Sequence, residues 1–128
     1  MYNIRITDTK SKYYGLILKG NCIYYDVLHN GTSENLYQVK TKNRTIQFLE
    51  HQIDKDYYEK QLLAEIISEL GANVGDNVII QEDGSGSYSK DWDEKDIHRI
   101  TNIEINGCIT FDDGKAIIYK PKVKKIVK

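Results

Sequence analysis

Apolar and polar residues alternate from the start of the chain. Tyr2-Asn3-Ile4-Arg5-Ile6-Thr7 has a period of two, the pattern of a strand with one buried and one wet face. Similar stretches at 13–18, 22–28, 36–41 and 45–49 predict four more strands. Gly20 divides the first two of these, His29-Asn30-Gly31-Thr32 marks a turn, and Lys42-Asn43 marks another. The period then changes. Leu62, Leu63, Ile66, Ile67 and Leu70 form a stripe at helical spacing, while Lys60, Glu65 and Glu69 fall outside it. Asp56 with Glu59 three residues later has the spacing of a capping box. Gly71 provides a stop, because a residue without Cβ takes the left-handed conformation at little cost. The helix is placed at 54–71, as a lid on a sheet.

Beyond it, Val74-Gly75-Asp76-Asn77-Val78-Ile79-Ile80 leads into a strand at 77–81 and then a long polar loop. Apolar runs at 97–105, 108–111, 115–119 and 123–127 follow. Asn106-Gly107 and Asp113-Gly114 separate three of them, and both dipeptides favour two-residue turns. Strands, one helix, then strands predict an α+β fold. It comprises an antiparallel β-rich N-terminal half (1–53), one central amphipathic helix and a small C-terminal barrel or meander (74–128). No Pro- or Ser-rich linker interrupts the chain, so 1–128 is expected to be a single domain. The C-terminal pattern resembles an SH3-like or Tudor-like barrel, a fold that commonly binds peptides or nucleic acids. The resemblance concerns the fold and does not itself assign a function.

Composition narrows the classes. The net charge of −1 provides no global attraction to nucleic acid or membrane. Ten tyrosines, against two Phe and one Trp, suit both a β-rich fold and an interaction surface. The start of the chain lacks a signal-peptide pattern and no segment is apolar enough to span a membrane, so a cytoplasmic location is expected. Cys22 and Cys108 are expected to be reduced, buried and hydrophobic in character.

No catalytic pattern emerges, and neither an enzyme nor a cofactor is expected. Gly84-Ser85-Gly86-Ser87 lacks the Lys of a phosphate-binding loop and is taken as a flexible connector. His29, His51 and His98 are spaced as turn or surface residues, without the Cys pairs of a zinc site. The acids near Asp91 are interrupted by Trp92 and Lys95 and lack the Gly of a calcium loop.

Two charged regions remain. Residues 82–96 carry six acids (Glu82, Asp83, Asp91, Asp93, Glu94 and Asp96) against two lysines, and hold the only tryptophan, Trp92. An acidic loop with an aromatic anchor suits a basic groove on another protein, where carboxylates pair with Arg and Lys. The competing reading is a solvated loop whose Trp92 folds back onto the barrel. The C-terminal segment is the converse. Lys115, Lys120, Lys122, Lys124, Lys125 and Lys128 are accompanied by no acid from 115 onward, and Tyr119 adds a stacking surface. Six lysines without arginine also suit an edge strand guarded against aggregation. The leading expectation is a non-catalytic binder or inhibitor docking the acidic loop onto a basic protein, such as a nucleic-acid-binding host protein. The Ile/Lys/Asn/Tyr-heavy composition is similar in type to small phage and mobile-element proteins, including anti-CRISPR and anti-restriction proteins that imitate DNA. The alternative is a nucleic-acid-binding module using the lysine tail.

Overall fold

The computed structural model describes residues 1–82 and 86–126. It is mostly antiparallel β-sheet with a single α-helix, an α+β architecture. The chain forms two compact units, Met1–Gln61 and Leu62–Lys128, and the boundary falls inside the helix.

The first unit holds a four-stranded sheet in the order β1-β2-β3-β4, namely Tyr2–Arg5, Ile17–His29, Thr32–Lys40 and Thr45–Leu49. The separate strands expected at 13–18 and 22–28 are replaced by one strand, β2. Gly20 does not break it. A Cβ there would lie 2.1 Å from the Gln38 carbonyl oxygen, so Gly20 is the residue that lets β2 approach β3 closely where they pair. Two register shifts, between Cys22 and Tyr24 and between Tyr24 and Val27, bend β2 further. Asn30 and Gly31, both at positive φ, close the predicted hairpin onto β3. Ile4, Val39, Tyr37 and Phe48 are buried on one sheet face, and Tyr58 packs edge-on against Tyr2 and Tyr37.

The helix α1 spans Lys55–Leu70. Its cap is Asp54 rather than Asp56: the Asp54 carboxylate accepts the Tyr57 amide at 3.0 Å, whereas Asp56 is already inside the first turn. Gly71 terminates it at φ +75°, its amide donating to the Ile67 carbonyl.

The second unit holds a six-stranded sheet in the order β10-β5-β7-β8-β9-β6. The strands are β5 Asn77–Glu82, β6 Gly86–Tyr88, β7 Ile97–Ile103, β8 Cys108–Phe111, β9 Ala116–Tyr119 and β10 Lys122–Lys125. Its core comprises Val78, Ile100, Ile109, Phe111, Ala116 and Ile118, and Leu63, Ile66, Ile67 and Leu70 of the helix cover it. Three local expectations change. Gly86 belongs to a strand paired with β9, not to a flexible connector, and a Cβ there would approach the Ile117 carbonyl at 2.9 Å. The β7–β8 connection is a four-residue turn in which the Gly107 amide donates to the Glu104 carbonyl. The β8–β9 connection is a short 3-10 turn in which Asp112, Asp113 and Gly114 all take positive φ. Val127, predicted as the end of the last strand, lies outside the described residues.

Candidate functional site

The long loop of the second unit is ordered by local chemistry. The Trp92 amide donates to the Ser89 carbonyl and the Asp96 amide to the Asp93 carbonyl, giving two successive turns. The Asp93 carboxylate accepts the Lys95 amide at 3.0 Å. The Ser89 amide donates to the Lys115 carbonyl at 2.6 Å, continuing the β6–β9 pairing into the loop.

Trp92 folds back onto the sheet and is half-buried. Its indole N–H donates to the Asp112 carboxylate at 2.9 Å. One ring face stacks on His98 with centroids 4.1 Å apart, and Tyr88 stacks on Trp92 at 5.0 Å. Phe111 lies beyond, 6.1 Å from Trp92 and 6.4 Å from His98. A column of rings therefore runs from the exposed Tyr88 to the fully buried Phe111.

His98 is buried, which corrects the turn-or-surface expectation for this residue. Its Nδ1 lies 2.5 Å from Asp112 Oδ2 and its Nε2 lies 2.6 Å from the Asp93 carbonyl oxygen. Asp112 also accepts the Arg99 amide at 3.1 Å. Burial pushes the Asp112 carboxyl up, but the hydrogen bonds from the Arg99 amide, the Trp92 indole and His98 outweigh it. The net effect holds it below the ordinary aspartate value.

The result is a platform with acids on its solvent side. Asp91, Asp93, Glu94 and Asp96 are exposed around it. Tyr88, Trp92, Asp93 and Glu94 line a shallow hollow of about 380 Å³. Glu82 lies on β5, 3.3 Å from Lys122 in a solvent-exposed ion pair, and borders a hollow shared with Glu94 and Lys95. Asp83 lies outside the described residues. Tyr88, His98 and Asp112 were missed by the sequence reading. For His98 a signal existed, because it precedes Ile100 by two residues and so shares its core-facing side of β7.

The lysine-rich tail is more dispersed. Lys122 and Lys125 pair with Glu82 and Asp76, and Lys120 sits 5.4 Å over the Tyr119 ring. Lys124 is exposed on β10, an edge of the sheet. Lys128 lies outside the described residues.

Among the described residues, no group of three His, Cys, Asp or Glu side chains is arranged to hold a metal ion. Both cysteines are free and half-buried rather than fully buried, and burial raises the Cys22 thiol above its ordinary value. No described helix is long and apolar enough to cross a membrane. Comparison with family models, curated proteins and solved structures finds no match for this chain.

Proposed function

We propose that this chain is a non-catalytic protein-interaction module that docks its acidic aromatic loop onto a basic surface of another protein. It acts as a stoichiometric binder or inhibitor of the phage or mobile-element type. The observation that carries this reading is the anchoring of Trp92 by His98 and Asp112. Anchoring limits the ordering entropy that a flexible acidic loop loses on binding. Asp91, Asp93, Glu94 and Asp96 then face a partner's Arg and Lys from a preformed support, and the exposed Tyr88 offers a ring to a cationic side chain. Trp92 acts as the pillar beneath this surface rather than as a projecting anchor.

The strand order lends further support. The run β10-β5-β7-β8-β9 places the last strand beside the first strand of the unit, as in an SH3-like barrel. The acidic loop then joins the first two long strands of that arrangement.

The test is affinity capture from a lysate treated with nuclease, run in parallel with Asp91→Lys/Asp93→Lys/Glu94→Lys. A basic protein retained by the parent chain and lost by the charge-reversed variant is the expected result. Equal retention by both rules out the acidic loop. Material lost on nuclease treatment and at high salt directs attention to the lysine tail instead.

A further inference from the structure

The acidic loop leaves a surface of opposite charge, on the first unit, unexplained. In the four-stranded sheet, Lys19 of β2 is directly opposite Lys40 of β3. Such cross-strand neighbours have Cβ atoms about 5 Å apart, and like charges there repel. Lys42 and Arg44 follow in the β3–β4 turn, which is built by reciprocal Thr41–Arg44 hydrogen bonds. All four cations are exposed. Among the described residues none has a carboxylate within ion-pairing distance. No acid occurs in the sequence from 36 to 49 or from 9 to 25.

The neighbouring rows extend the surface. Side chains alternate across the pleat, and Gly20, Val39 and Tyr37 are buried on the opposite face. The next row on the cationic face is therefore Asn21, Gln38 and Gln47, which are in register across three strands. The row after it begins with Tyr24, which is 61% exposed where the register shifts bend β2. Cations, then amides, then an exposed ring lie along a single face.

We infer that this face binds a single-stranded nucleic acid, with Lys19, Lys40, Lys42 and Arg44 on its phosphates. A phosphate between Lys19 and Lys40 relieves a repulsion that no protein carboxylate offsets. The amide row carries both donors and acceptors and suits base edges. Tyr24 supplies a stacking plane, which only an unpaired base can use. An anionic membrane or an acidic protein has no use for a row of amides between the cations and the ring. The surface is independent of the acidic loop, which has the opposite charge, and neither proposal depends on the other.

The test uses the full chain and a fluorescein-labelled oligothymidylate of about 20 nucleotides, followed by anisotropy. Four phosphate contacts predict a slope of log affinity against log salt of about −3, or roughly 50-fold weakening between about 50 and 200 mM salt. The variant Lys19→Ala/Lys40→Ala/Lys42→Ala/Arg44→Ala is expected to bind at least about tenfold more weakly at low salt, with most of the slope lost. Lys19→Arg/Lys40→Arg is expected to retain binding, and thermal melts by circular dichroism are expected to show the alanine variant folded. Lys120→Ala/Lys122→Ala/Lys124→Ala/Lys125→Ala, in the tail, is expected to bind like the parent. No binding by the parent at low salt overturns the inference. So does loss of binding in the tail variant with retention in the sheet variant, or binding of anionic phospholipid vesicles in place of the oligonucleotide.

Discussion

His98 reaches Asp112 and the Asp93 carbonyl oxygen at the same time, through its two ring nitrogens at 2.5 and 2.6 Å. Both partners are acceptors, so the two contacts are satisfied together only when each ring nitrogen carries a proton. One imidazole thus ties the 3-10 turn after β8 to the acidic loop before β7. Nitrogen-15 spectra of the His98 ring tell which of the two contacts is a hydrogen bond, because only a ring nitrogen that carries a proton donates. His98→Ala leaves Asp112 and the Asp93 carbonyl short of a donor and opens space beneath Trp92. We expect a loss of about 2–3 kcal/mol by urea denaturation.

Asp112 sets an acid limit on this arrangement. Its folded carboxyl titrates below the ordinary aspartate value, so the charged form binds its neighbours more strongly in the folded state. Its contribution is fully present above the unfolded value of about 3.9 and is lost as pH falls through the lower folded value. Asp8, Asp76 and Glu34 are also held low, and share the same acid limb. Asp112→Asn should flatten that limb in part and lower stability at neutral pH. An unchanged pH–stability curve would remove Asp112 from the linkage.

The indole has two separable roles. Trp92→Phe keeps a ring on His98 but removes the N–H donated to Asp112, and should cost about 1 kcal/mol. Trp92→Ala removes the pillar and should cost about 3 kcal/mol. If the platform reading holds, partner affinity follows the same order, with the Phe variant close to the parent. An Ala variant that binds as tightly as the parent would show that the loop needs no support.

Glycines at two positions should respond differently. Gly20→Ala sets a methyl group against the Gln38 backbone in the middle of the sheet, and about 3 kcal/mol should be lost. Gly15→Ala meets no neighbour within 4 Å but must hold φ near +83°, a cost of about 1–2 kcal/mol. Paired thermal melts compare the two, and equal losses would contradict the close approach of β2 to β3 at Gly20.

The helix cap can be assigned by a similar pair. Asp54→Ala should cost about 1 kcal/mol because the Tyr57 amide loses its acceptor, while Asp56→Ala should be near neutral. The Asp54–Arg5 ion pair, at 3.4 Å and open to solvent, adds little to the difference.

These residues also show where the sequence was legible. The limits of β4 and β8 match the expected 45–49 and 108–111, because short alternating runs between turn residues leave little choice of register. The helical stripe was legible because Leu63, Ile66, Ile67 and Leu70 recur at the helical period and pack on one core. Gly20 misled because a glycine required by a close backbone approach looks the same in sequence as one required by a turn. Gly86–Tyr88 was missed because Gly and Ser lack strand propensity, and its pairing with Ala116–Ile118 is set by tertiary contact. The charges of the acidic loop were visible, but its anchor was not. Asp112 is far along the chain from Trp92, and no local pattern joins them. The facing of Lys19 and Lys40 was hidden for the same reason, since only strand register brings them together.

The ring column joins the exposed Tyr88 to the fully buried Phe111: Tyr88, Trp92 and His98 stack, and Phe111 meets His98 edge-on. On the proposed reading, recognition and folding there draw on the same contacts. A partner that seats on Tyr88 selects chains in which the whole stack is assembled, so its binding should raise the unfolding temperature in proportion to the logarithm of its concentration. Conversely, a chain loosened at Phe111 would lose affinity at a surface it does not touch.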